Sequence, residues 1–252
     1  MKICELYSKM SEYFPRELSC SWDNDGLMCA SDTEREVKKA LCALDVTESI
    51  VDYAIEKGFD LIISHHHLIF HPLKSVTDST TPAKKVIKLI QNGISVFSFH
   101  TRADCAEGGV NDMLASVLGL RNVERFGEGG MGRIGELPAP CSVREFAEKV
   151  KKAVSAPYVN YAGEMTVQRV ALLGGDGDDF VTAAKEAGAD TYLSGDLSYN
   201  LMLDAPELRI NLIEAGHFYT EKFIALRYAE ILHAVCPEIE TEIKDSTVIS
   251  AI

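Results

Sequence analysis

The chain has 252 residues, 46% of them hydrophobic, enough for one large α/β domain or two smaller ones to bury a core without covalent staples. Its 25 Lys+Arg against 38 Asp+Glu leave a formal net charge of −13, which opposes approach to a phosphate backbone and argues against general nucleic-acid binding. No apolar stretch approaches the roughly 18 residues that span a bilayer and no basic-then-apolar start marks export, so a cytoplasmic protein with no membrane contact is expected.

Near the N-terminus, Trp22-Asp23-Asn24-Asp25-Gly26 joins an aromatic to turn formers. It reads as a buried anchor and turn, with a base-stacking wall as the other reading. An apolar strand follows at 40–45, then a helix at 48–57 with Ile50, Val51, Ala54 and Ile55 on one face, then a strand through Asp60-Leu61-Ile62-Ile63. Four of the seven histidines come directly after it, in Ser64-His65-His66-His67-Leu68-Ile69-Phe70-His71. Imidazoles at a strand end point to a metal site, because neutral imidazole is the commonest protein ligand of zinc and its first-row neighbours. His67 alternates away from His66 and reads as a neighbour, while His71, next to Pro72, lies outside the pair. A further strand at 93–99 runs into His100 and Asp104.

The glycine-dense run 126–135, followed by Pro138-Ala139-Pro140, reads as a loop or domain crossing in which Arg133 could hold an anionic substrate. A helix at 142–153 starts at Ser142 with Glu145 three residues on, the spacing of a capping box. After a strand at 169–173, Gly174-Gly175-Asp176-Gly177-Asp178-Asp179 reads as a tight turn and helix cap, since its aspartates would repel phosphate. The strand 210–213 runs into His217 and Glu221, and a core-packing helix extends over 219–235, with His233 on it as a bystander. The seven cysteines (Cys4, Cys20, Cys29, Cys42, Cys105, Cys141 and Cys236) form no C-x-x-C pair and read as reduced, mostly buried thiols.

The chain also repeats itself. At an offset of 130, Val51 matches Val181, Ala54 matches Ala184, Gly58 matches Gly188, Asp60 matches Asp190, Ser64 matches Ser194 and His66 corresponds to Asp196. Each half then ends an apolar strand with a histidine followed four residues later by a carboxylate, His100 with Asp104 and His217 with Glu221. In a helix that spacing puts both side chains on one face. The expected architecture is α/β, two similar lobes of strand-helix-strand units at 1–126 and 127–252, interleaved about a pseudo-twofold axis and sharing one metal cleft.

The blocks Trp22-Asp23-Asn24-Asp25-Gly26-Leu27, Asp60-Leu61-Ile62-Ile63-Ser64-His65-His66, His100-Thr101 with Asp104, Gly108-Gly109-Val110-Asn111-Asp112, Ser194-Gly195-Asp196, and Gly216-His217 with Thr220-Glu221 occur in one order along nearly the whole chain. In that combination the sequence resembles the Nif-three-like family of dinuclear metal proteins, whose members often carry the name GTP cyclohydrolase I type 2. The resemblance implies two similar lobes without the middle domain inserted in longer relatives, a homo-oligomeric, hexameric ring, and two divalent metals per subunit. Carried over residue by residue, the implied ligands are His65, His66, Asp104, His217 and Glu221, with His100 beside them. The chain departs from the family pattern at His67, where many relatives have proline, and at Arg102-Ala103. Arg102 would add a cation that favours an anionic substrate or pairs with a nearby acid.

Three imidazoles and two carboxylates suit Zn, Fe, Mn or Co better than Mg or Ca. A pair of such ions supplies hydrolysis, here of a small, nucleotide-like or other heterocyclic substrate. His100 would act catalytically as a proton shuttle or else orient Asp104. The alternative function is a non-catalytic metal-binding scaffold for regulation or storage.

Overall fold

The computed structural model describes residues 1–250. The chain opens with helix α1 (Ile3–Ser11), strands β1 (Gly26–Cys29) and β2 (Lys39–Ala43), α2 (Glu48–Lys57), β3 (Leu61–Ser64), α3 (Thr81–Gln91), β4 (Ser95–Ser98) and the short α4 (Thr101–Cys105). It continues through α5 (Val110–Leu118), β5 (Arg121–Phe126), β6 (Gly132–Cys141), α6 (Val143–Val154), β7 (Asn160–Ala162) and β8 (Val167–Asp176). Then come α7 (Val181–Glu186), β9 (Thr191–Asp196), α8 (Tyr199–Leu203), α9 (Ala205–Leu208), β10 (Asn211–Glu214) and α10 (His217–Glu221), and finally α11 (Ile224–Val235) and β11 (Glu240–Ile243).

These elements make an α/β protein with two mixed sheets, each in its own unit. The first unit takes Met1–Ala106 and Ile224–Val248; the second takes Glu107–Phe223, with which Ile249 and Ser250 group. The chain therefore changes unit after Ala106, not after 126, and its last long helix returns to the first unit. There α11 buries Ile224, Tyr228, Ile231 and Leu232. The single helix expected over 219–235 is instead two, α10 and α11, interrupted at Lys222 and Phe223 where the chain changes unit.

The first sheet has the order β1-β4-β3-β2-β11, with β2, β3, β4 and β11 parallel and β1 antiparallel to β4. All of β3 and β4 is buried, which explains why these strands read as continuous apolar runs and not as alternating ones. Helix α2 connects β2 to β3. The Thr47 hydroxyl accepts from the Ile50 amide at its start, and Gly58 at φ 68° ends it. A Cβ at Gly58 would meet open space, so glycine is needed there for its backbone angle alone.

The second sheet has the order β5-β6-β8-β9-β10-β7, in which β8, β9 and β10 are parallel. Leu172, Leu193 and Ile213 pack in one core, and their chain neighbours Ala171, Tyr192 and Leu212 in another. Alternation along the strands thus sends apolar side chains to both faces. Asp190 Oδ2 accepts from the Gln168 and Arg169 amides, at 2.9 and 2.7 Å, ahead of the parallel run of β8. Asp60 does the same for the Lys38 and Lys39 amides at the start of β2, at 2.9 and 3.1 Å. The offset of 130 therefore matches residues with one structural job.

The glycine-rich run 126–135 is not a crossing between units. It closes the antiparallel pair β5 and β6 through Gly127, Gly129 and Gly130, all at positive φ. A Cβ at Gly132 would strike the Phe126 ring, and one at Gly135 would come within 2.9 Å of the Arg121 carbonyl. Pro138 and Pro140 fall where the pairing of β6 with β8 lapses between Glu136 and Cys141. The Ser142 capping box with Glu145 is present at the start of α6. Gly174, Gly175 and Asp176 lie within β8, and the expected turn into a helix is confined to residues 177–179, which lead through a short 3-10 stretch (Asp178–Phe180) into α7.

Candidate metal centre

In the first unit the chain is pinned where β3 ends. The His65 and His66 amides both donate to the Leu44 carbonyl, at 3.1 and 3.0 Å, and the Ser64 and Ser98 hydroxyls donate to the His66 carbonyl, at 2.8 and 3.3 Å. The His65 side chain is fully buried, and its Nδ1 lies 3.0 Å from the Phe99 carbonyl. A carbonyl only accepts, so Nδ1 carries the proton and the lone pair is on Nε2. That Nε2 stands 3.5 Å from Asp104 Oδ1. His66 is held in the same way, with Nδ1 2.7 Å from Asp45 Oδ1, and the Ser246 hydroxyl donates to Asp45 Oδ2 at 2.9 Å.

His100, at the start of α4, has its Nδ1 3.2 Å from Asp23 Oδ2. His65, His66 and His100 each bring a ring nitrogen within 4.8 Å of the others. Asp23 also accepts from His67 Nε2 at 2.6 Å, from the Thr101 amide at 3.0 Å and from the Thr101 hydroxyl. Burial by itself would raise the Asp23 pKa, but the hydrogen bonds from His100, His67 and Thr101 outweigh it and hold the carboxyl well below its usual range. Asp23, His67 and His100 form a second group whose ligand atoms lie within 4.8 Å.

In the second unit His217 and Glu221 share the single turn of α10, with Nε2 and Oε2 3.1 Å apart. Asp196, at the end of β9, takes His217 Nδ1 at 2.6 Å. Glycines shape this corner. A Cβ on Gly175 would collide with Glu221 Oε1, and one on Gly195 would lie 2.8 Å from the His217 Cα. Burial pulls the His217 pKa down, yet Asp196 and Glu221 prevail and push it up to about 11. An imidazole between two carboxylates holds a cation: a proton in the metal-free chain, or a metal that displaces it.

Each unit thus presents imidazole Nε2 beside carboxylate oxygen, with Nδ1 held from behind by a carbonyl or carboxylate. That is how metal-binding histidines are oriented, and the mixed nitrogen and oxygen donors fit a first-row divalent ion. Residues 1–250 match the profile of Duf34/NIF3 (NGG1p interacting factor 3). The chain belongs to this family. A Clostridium perfringens NIF3 relative, named GTP cyclohydrolase 1 type 2 homolog, is 33% identical over 238 residues, 91% of this chain and 90% of its own. Another of the same name from Clostridium acetobutylicum is 34% identical over 230 residues, 88% of this chain and 85% of its own. Among solved structures, a Staphylococcus aureus protein superimposes with a TM-score of 0.90 at 28% identity, covering 100% of this chain and 99% of that one. The NIF3-related protein of Bacillus cereus gives 0.89 at 25% identity, with the same coverage.

Several sequence readings change within this NIF3 frame. Arg102 does not face a ligand. It is fully buried, with Nε donating to Asp25 Oδ2 at 2.9 Å, Nη1 to the Phe14 carbonyl at 3.1 Å and Nη2 to the Tyr7 hydroxyl at 3.0 Å. Arg133 is buried as well, on Asp112 and the carbonyls of Gly130, Met131 and Gly132. Trp22 is no buried anchor, at 62% exposed. His71 and His233 are exposed and join none of the ligand groups found among the described residues. The cysteines form no disulfide among the described residues, and Cys105 is buried. Asp45 and Asp23 carry no sequence signal as histidine partners, although the family block containing Asp23 marks its neighbourhood. No helix among the described residues is long and apolar enough to cross a membrane.

Proposed function

We propose that this NIF3-family chain is a dinuclear, divalent-metal-dependent hydrolase of a small, nucleotide-like substrate, with His65, His66, Asp104, His217 and Glu221 as its metal ligands. The observation that carries the reading is the common orientation of the histidines. His65, His66 and His217 each have Nδ1 engaged by an oxygen acceptor, and for His65 and His217 the Nε2 stands beside a carboxylate oxygen. His65 and His66 follow β3 and Asp104 follows β4, while His217 and Glu221 follow β10, the third parallel strand of the second sheet as β4 is of the first in chain order. That equivalence, with Asp60 matched by Asp190, supports the internal repeat.

In this reading His65, His66 and His217 would hold the ions as neutral nitrogen donors, and Asp104 and Glu221 would hold them as charged oxygen donors. The ions, when bound, supply Lewis acidity and a nucleophile near neutral pH. His100 moves the proton. With Nδ1 hydrogen-bonded to Asp23, its Nε2 can give a proton to a leaving group, and the ionised Asp23 stabilises the imidazolium. The names of the Clostridium relatives suggest a guanine nucleotide as one substrate to try.

The test has two parts. Elemental analysis of the purified chain is expected to give about two first-row transition-metal ions per chain, Zn, Fe, Mn or Co. A screen of phosphorylated and heterocyclic substrates is expected to find hydrolysis that Asp104→Ala abolishes. Metal at full stoichiometry with no turnover across the screen would select the scaffold function instead.

A further inference from the structure

Two large aromatic side chains stand in the open beside the histidines of the first unit. Trp22 is 62% exposed and Phe70 49%. The indole lies 6.1 Å from the His100 ring at 71° and 6.3 Å from Phe70 at 72°, and Phe70 lies 5.2 Å from His67. Asn24 Nδ2 donates to the Ile69 carbonyl at 2.9 Å, which ties the turn carrying Trp22 to the segment carrying Phe70. The two rings are therefore placed together, tilted edge-to-face, with much of their surface left to solvent.

We infer that Trp22 and Phe70 form a stacking platform for a flat heteroaromatic ring, of nucleobase type, on a ligand whose anionic or reacting group reaches the neighbouring histidines. The inference deepens the metal reading above and rests on it. A ring seated on the indole lies next to His100, whose ring nitrogen is within 4.8 Å of those of His65 and His66. Recognition of an anionic group does not fall to Arg102 or Arg133, since both are buried in internal bonds. Affinity must then come from the ring and from the metal. Aromatic faces stack on any base, and the contact survives without a hydrogen-bond code. A second copy of the chain laid over Trp22 would cover the histidines it adjoins, so a small ligand is the occupant that keeps them usable.

Trp22 is the only tryptophan of the chain, so its emission reports on this site alone. The experiment titrates the metal-replete chain with guanosine 5′-monophosphate and with ribose 5-phosphate, following emission and calorimetry. The nucleotide is expected to bind and quench, and the ring-less sugar phosphate to leave emission unchanged. Trp22→Ala should weaken nucleotide binding about 5- to 150-fold, the range for loss of one stacking partner, with Trp22→Phe restoring most of it. Phe70→Ala should weaken it less than Trp22→Ala does. Metal content, measured on the same samples, should not change. The platform is overturned by nucleotide affinity equal in wild type and Trp22→Ala, by no nucleotide binding to the metal-replete chain, or by ribose 5-phosphate binding as tightly. It is also overturned by a concentration-dependent blue shift without ligand, the sign of a second copy over the indole. Trp22-dependent nucleotide binding in a chain that takes up no metal would instead sink the metal reading and keep the platform.

Discussion

One sequence pattern, a histidine and then a carboxylate four residues later, gives two different geometries in the two units. In the second unit His217 and Glu221 both lie inside α10, one turn apart, and their side chains meet at 3.1 Å. In the first, His100 is the residue before α4, with φ −95° and ψ −112°, outside the helical region. Its ring turns to Asp23, while Asp104 stands beside His65 from the neighbouring strand end. The i,i+4 spacing brings side chains together only when both residues share helical backbone angles. The first unit consequently gathers several nitrogens around a buried acid, and the second offers one imidazole in a glycine-lined corner.

The asymmetry can be broken most sharply at the second unit. His217→Ala or Glu221→Gln, each removing half of the donor pair that α10 holds at 3.1 Å, is expected to lower metal affinity by more than about 100-fold, beyond the effect of losing an outer partner. His100→Ala, one of several nitrogens in the first unit, should cost no more than about 10-fold. Elemental analysis after dialysis against a chelator reads both, and equal losses would refute the asymmetry. One layer out, Asp196→Asn and Asp45→Asn should each weaken binding about 10- to 100-fold, the former more, as measured by chelator competition.

The metal-free chain sharpens the comparison through pH. A histidine whose folded pKa is raised from 6.5 to about 11 adds stability in full below about 6.5 and loses it as pH rises toward about 11. Melting temperature of the metal-free chain should fall across that window, and His217→Gln should flatten the slope. Asp23 acts with the opposite sign. Its depressed pKa adds stability above the ordinary carboxylate range, and that is lost as pH falls below it. The smallest effect is expected behind His65. The Phe99 carbonyl also accepts from the buried Tyr228 hydroxyl at 2.8 Å, and Tyr228→Phe should cost about 1 kcal/mol in denaturant unfolding with metal content unchanged.

The parallel strands, the helix between β2 and β3 and the Ser142 cap could be read from the chain because their signals are local: apolar runs, caps and turn glycines. The ends of β3 and β10, where His65, His66 and His217 sit, were legible for the same reason. The supports of the site were not. Asp23 meets His100 and Thr101 across more than 70 residues, and Asp45 meets Ser246 across 201. No periodicity reports such pairings. Glycine misled twice, at 126–135 and at Gly174-Gly175, because there it makes room for a neighbouring ring, carbonyl or carboxylate, while by composition it reads as a loop. Trp22 misled because hydrophobicity alone suggests burial.

The ion pair between Arg102 and Asp25 fixes the order in which these positions can change through descent. Asp25 is also bound by Arg16 and Ser19, so a lineage that loses Arg102 first keeps its carboxylate neutralised. A lineage that loses Asp25 first strands a wholly enclosed guanidinium, a penalty of about 3–5 kcal/mol for breaking a buried pair. The acid had to arrive before the base and must outlast it, so ancestors between the two steps should carry Asp25 without Arg102, and not the reverse.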